Sequence, residues 1–162
     1  MGHGEVSQMV DVKTDAVKEL LGKRGLKEAD VQDVVKSAES ANKKITNKAT
    51  GRTIAKKTIN NVTIYADYNL EKGILKSHAN VTSAYSHRMV LGKIVNAGEN
   101  TEWTCANCGE LTKAGTSEMT YMNVTRNGPA IVCPKCNDAW VEEYLATKTL
   151  AAAEGLFEKK KA

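Results

Sequence analysis

Cys105-Ala106-Asn107-Cys108-Gly109 and Cys133-Pro134-Lys135-Cys136-Asn137 hold all four cysteines of this 162-residue chain, with 24 residues between the pairs. Two residues between thiols let one tight turn aim both sulfurs at a single point. Two such turns close a tetrahedral four-sulfur site, the geometry preferred by zinc or a single iron. Gly109 takes readily to the left-handed backbone that turns N–H groups toward the sulfurs, and Asn137, the next-best residue for that conformation, holds the equivalent place. Pro134 stiffens the second turn.

A redox-active dithiol is the rival reading. It needs one CxxC opening a helix in a βαβ unit, which two CxxC motifs at this distance match poorly. The N-terminus has no apolar signal segment, and no run approaches about 18 apolar residues, so a cytoplasmic chain without a membrane span is expected. Reduced thiols in that setting read as metal ligands rather than disulfides. Three Asn-Val-Thr tripeptides, at Asn61, Asn80 and Asn123, match the glycosylation pattern, but turn-and-strand openings explain them without a secretory route.

The stretch from about Trp103 to Asn137 resembles the zinc-ribbon family, which shares its CxxC–CPxC knuckles with rubredoxins. The match rests on Cys105, Cys108, Gly109, Cys133, Pro134 and Cys136 and covers roughly a quarter of the chain. The resemblance implies a closed, non-catalytic zinc site that stabilises a small fold. Iron in the same four thiolates is the alternative. Against it, rubredoxins usually carry an aromatic just after the first CxxCG, where this chain has Glu110, and the second knuckle ends in Asn137 rather than Gly. Trp103, Tyr121 and Trp140 are the aromatics expected to pack the site.

Outward from the cysteines, the pattern predicts an α+β fold. A flexible leader is expected over residues 1–10, then an α+β domain over 11–95. Its helices are expected near 14–24, capped by Thr14 and stopped by Gly25, and near 27–42, where Val31, Val34, Val35 and Ala38 share a face. This helical hairpin would pack on a three-stranded antiparallel sheet with strands near 52–59, 62–70 and 74–85. Residues 42–51 read as a loop, and the alternation from Val62 to Asn69 implies one buried sheet face. The four-cysteine module occupies 98–137, with a hairpin turning at Asn127-Gly128, and a C-terminal helix with a basic tail fills 138–162.

Charge is uneven. Residues 45–94 carry eight basic residues against two acids, a net +6, whereas residues 101–142 carry three against five, a net −2. The basic block with Tyr65, Tyr68 and Tyr85 offers a nucleic-acid reading, less favoured than an ordinary solvated basic face or a patch for an acidic protein partner, because Ile64, Ala66 and Tyr68 share a face expected to be buried and the cysteine module is itself acidic. An acid-led second helix argues against DNA reading by the helical hairpin. Tyr85, Ser86, His87 and Arg88, gathered where the third strand ends, form a candidate docking or ligand site. No carboxylate pair, phosphate loop or free nucleophile accompanies them, so the chain is not expected to be an enzyme. The expected function is a metal-stabilised binding module, a small or accessory subunit held to protein partners. The alternatives are a single-iron electron carrier or a nucleic-acid binder.

Overall fold

The computed structural model describes residues 9–161. Its strands are β1 (Met9–Lys13), β2 (Lys44–Asn47), β3 (Arg52–Ile59), β4 (Val62–Lys72), β5 (Lys76–His87), β6 (Val90–Cys105), β7 (Leu111–Tyr121), β8 (Val124–Cys133) and β9 (Asp138–Trp140). The helices are α1 (Lys18–Lys23), entered through a 3₁₀ turn, α2 (Glu28–Ala41), and α3 (Ala151–Lys161), which continues a π-helical stretch at Leu145–Leu150. All nine strands belong to one mixed sheet in the order β1-β5-β4-β3-β2-β6-β7-β8-β9, with β1 parallel to β5 and every other pair antiparallel. This overturns the helical hairpin on a three-stranded sheet.

The two N-terminal helices lie where periodicity placed them, but as a covering layer on a far larger sheet. Val31, Val34, Val35 and Ala38 of α2 are fully buried against Ala55, Ile64, Ala66, Tyr68 and Val81. Gly25 and Asn42, both with positive φ, end the two helices. Thr14 makes no capping bond; its hydroxyl donates to Glu28 Oε1 at 2.8 Å and ties the first turn to α2.

Four further expectations need correction. The leader assigned to 1–10 lies outside the described residues over 1–8, while Met9 and Val10 begin β1, paired with Lys76 and Ser77. The expected loop at 42–51 contains β2, whose Ile45 is fully buried. The β7–β8 turn falls at Met122-Asn123, both left-handed, and Asn127-Gly128 lies within β8, where Asn127 pairs with Glu118. A Cβ at 128 would stand 2.8 Å from Met119 Sδ, so a larger residue there requires the Met119 side chain to shift. Finally, the C-terminal helix does not start at Asp138: residues 138–140 form β9 against β8.

The expectation of one buried sheet face also fails. On β4, Ile64, Ala66 and Tyr68 face the helices, while Tyr65 and Asp67 on the opposite face are equally buried. Tyr65 and Tyr85 share a second core with Met119, Ile131, Val132 and Trp140 of β7, β8 and β9. Strands so far apart in the sheet order meet only if the sheet folds over itself. It does so at β2–β6, joined by three residue pairs: Ile45↔Cys105, Thr46↔Thr104 and Asn47↔Trp103. The result is helices on a first sheet layer (β1–β5), with a second layer (β6–β9 and α3) packed on its other face. No helix among the described residues is long and apolar enough to cross a membrane.

Candidate metal centre

The fold line brings the two cysteine pairs together. Cys105 ends β6, Cys133 ends β8, and the turns that follow carry Cys108 and Cys136. Both turns close alike. Gly109 N–H donates to the Cys105 carbonyl and Asn137 N–H to the Cys133 carbonyl, each at 2.8 Å, and both residues are left-handed (φ 73° and 61°). Asn137 thus stands in for glycine, as a short amide side chain can. The Cys105 N–H is fixed by the Glu110 carbonyl, and Ala106 N–H donates to the Lys44 carbonyl, tying the first turn to β2. Lys135 and Glu110 join the two turns in an exposed ion pair at 3.0 Å.

All four Sγ atoms lie within 4.8 Å of one another, with Cys105 and Cys136 at 3.9 Å. A tetrahedron with metal–sulfur bonds of about 2.3 Å has edges of about 3.8 Å, so the set fits a four-thiolate metal ion. The electrostatics agree. Burial and the other three thiols push the Cys136 thiol up. At Cys133 burial acts upward too, but the Cys136 backbone and the neighbouring thiols outweigh it and hold that thiol below its usual range. Four sulfurs this close cannot all ionise beside one another; a bound divalent cation supplies the charge that lets them. Cys105 and Cys133 are buried, and Cys108 and Cys136 half-buried.

Two neighbours, Lys56 and Asp138, were not singled out for this role in the sequence, whereas Trp140 was. Lys56, from β3 in the first layer, reaches across to donate to Asp138 Oδ1 at 2.6 Å and to the Ala139 carbonyl. Its ammonium also lies 4.8 Å from the Trp140 ring centroid. Burial lowers the Lys56 pKa, and Asp138 opposes that shift. Lys56 and Asp138 are 82 residues apart, and nothing in either local sequence marks the pairing. Trp140 joins Cys105 and Cys136 in lining a cavity of about 220 Å³, beside the amides of Asn107 and Asn137. Tyr121, expected at the site, is instead at the far end of β7, hydrogen-bonded to Glu158 of α3.

Tyr85, Ser86, His87 and Arg88 do not gather on one surface. Strand alternation sends Tyr85 and His87 into the core and leaves Arg88 exposed beside Glu158, at 3.5 Å. Tyr65 and Tyr85 stack with centroids 4.8 Å apart, and the Tyr85 hydroxyl donates to the Val141 carbonyl. With Tyr68 also fully buried, the three tyrosines offer no surface for stacking bases. The Tyr65 oxygen accepts the Val141 N–H and lies in hydrogen-bond contact with His87 Nε2 at 2.9 Å. His87 Nδ1 is buried without a hydrogen-bond partner among the described residues. Burial lowers its pKa from 6.5 to about 4, with the Met89 backbone pulling the other way.

That shift has a definite sign. A depressed histidine contributes stability above its unfolded pKa, lost as pH falls through the folded value. Between pH 6.5 and 4 the loss is about 3 kcal/mol. Urea unfolding of the wild type and His87→Gln at pH 7 and pH 4 measures it, because metal release affects both proteins alike. The wild type is expected to lose about 3 kcal/mol more than the variant; equal losses would refute this account of His87.

Residues 101–160, a little over a third of the chain, match a family model described as a domain of unknown function (DUF7479). The matched segment runs from the end of β6 through all four cysteines into α3. No curated protein and no solved structure matches the chain.

Proposed function

We propose that the protein is a non-catalytic, metal-stabilised binding module, acting as a small or accessory subunit of a larger protein assembly, with zinc held by Cys105, Cys108, Cys133 and Cys136. One observation carries this reading: the four thiols converge where the sheet folds over, at the three-pair junction between its layers. A clamp there fixes the ends of β6 and β8 and the start of β9, and with them the placement of the second layer on the first. Four protein ligands complete a tetrahedral shell, which suits a structural role. A cytoplasmic setting would keep these thiols reduced and free to act as ligands.

A single iron in the same ligands, serving electron transfer, is the second reading, favoured by the half-buried position of Cys108 and Cys136 near the surface. Elemental analysis and a visible spectrum of anaerobically purified protein separate the two. A colourless protein with one zinc per chain is the expected result; a red protein with one iron would replace zinc by electron transfer.

A further inference from the structure

The hairpin between β4 and β5 ends in a tight turn, closed by Gly73 N–H donating to the Lys76 carbonyl at 3.0 Å. Its two outer residues are Ile74 and Leu75, 101% and 90% exposed. The turns at Asn60-Asn61 and Met122-Asn123 use left-handed residues, as tight hairpins ordinarily do. Nothing in the folding of this chain calls for two large aliphatic side chains in water, and exposed apolar groups of this kind mark contact sites. Lys72 and Lys76 flank them, neither in an ion pair among the described residues.

The same end of the molecule carries the complementary surface, a cleft of about 820 Å³ between the two sheet layers. Leu145 and the largely buried Ile54, Trp103 and Ile131 form its apolar floor, with the Arg52 guanidinium 5.4 Å from the Trp103 ring centroid and polar side chains around the rim. Of its carboxylates, Asp67 is bound by Arg52 and Glu143 by Arg24 at 2.9 Å. Glu102 accepts from the Asn47 amide at 2.9 Å, and neither it nor Glu142 is in an ion pair among the described residues, Arg52 in the same lining being bound to Asp67. Cleft and tip are near in register. Arg52, at the cleft, pairs with Asn69, and the hairpin runs on through Leu70↔Ala79, Glu71↔His78 and Lys72↔Ser77. The tip therefore stands about 17 Å beyond the Arg52–Asn69 pair.

We infer that a second copy of this chain fills the cleft: Ile74 and Leu75 of each protomer enter the apolar cleft of the other, with Lys72 and Lys76 set against Glu102 and Glu142. Because tip and cleft share one end of the molecule, a single two-fold axis engages both at once. The contact closes as a dimer rather than running on as a filament. This dimer goes beyond the proposed function and stands whether the thiolates hold zinc or iron.

Sedimentation equilibrium of the full metal-bound chain over a concentration series tests it, with circular dichroism and metal content confirming that each variant is folded. The wild type is expected to be dimeric and to dissociate more readily as salt rises. Ile74→Asp with Leu75→Asp is expected to give a monomer. Lys72→Glu with Lys76→Glu is expected to weaken the dimer at least about tenfold, and adding Glu102→Lys with Glu142→Lys to that protein to restore it. A wild type monomeric throughout overturns the inference, whether or not it binds anionic phosphatidylserine vesicles. So does a dimer indifferent to the aspartates, or one that the charge reversal fails to restore.

Discussion

Cys105→Ser is expected to purify without stoichiometric metal and to melt at least about 10 °C below the wild type. The figure follows from two magnitudes. Structural zinc in small four-ligand sites contributes roughly 10–16 kcal/mol of apparent binding free energy, whereas a whole domain is stable by only about 5–15 kcal/mol. If only about 5 kcal/mol of the former is coupled to folding, a chain of this length loses about 10–20 °C in Tm. Cys105 is the most consequential of the four because it acts twice. It ends β6 as a ligand, and it pairs with Ile45 in the short ladder that joins the layers, while its own side chain is 1% exposed.

The loss should also be spatially uneven. The core beneath α1 and α2 draws only on the first sheet layer and the helices above it. The other core depends on β6–β9 staying folded over. Hydrogen exchange after EDTA treatment of the wild type is therefore expected to show β6–β9 losing protection before α2 and β4. Uniform exchange, or a Cys105→Ser protein that melts with the wild type, would show that the clamp does not hold the layers together.

The four-cysteine cluster was legible because its information is local. Two-residue spacings and left-handed positions after each second cysteine fix each turn without reference to the rest of the chain. α2 was legible for the same reason, its apolar face recurring with helical period. The sheet was not, and the causes lie in particular strands. β1 exists only through parallel pairing with β5, more than 60 residues away. β2 is four residues in a lysine-rich stretch, with one strong apolar position, Ile45. β6 carries Gly92, Asn96, Gly98 and Asn100, and its pairing with β7 shifts register four times, so no clean alternation survives in the sequence. The alternation in β4 was seen, but its polar-looking positions, Tyr65 and Asp67, are buried by a layer whose arrival depends on the fold line. Likewise, Met122 in a left-handed turn has no sequence signal, whereas Asn127-Gly128 has a strong one that the long β7–β8 pairing overrides.

Trp140→Ala is expected to cost about 3–5 kcal/mol, as truncation of a buried tryptophan does, lowering Tm by roughly 6–20 °C. Trp140 is 1% exposed and sits in β9 opposite Ile131, between the thiol cluster and the Lys56 ammonium. Its removal opens a cavity in the core that joins the layers and takes away the ring facing a buried cation. Its indole Nε1, however, is buried without a hydrogen-bond partner among the described residues. The N–H therefore adds little that the ring does not, and Trp140→Phe, which keeps an aromatic face and sheds that donor, is expected to lose less than half as much. Lys56→Met completes the comparison. It removes the charge but keeps the length of the stem, and leaves Asp138 partly exposed with an N–H donor from Ala139 at 2.9 Å. Removing one partner of a fully buried ion pair costs about 3–5 kcal/mol because the remaining charge stays unpaired and dry, but Asp138, a quarter exposed, can reach water, which places Lys56→Met below that range. Thermal melts of the three variants at matched metal content should thus rank Trp140→Ala as the least stable. If Lys56→Met fell furthest instead, the ion pair to Asp138, rather than the packing of Trp140, would be what holds the second layer against β3.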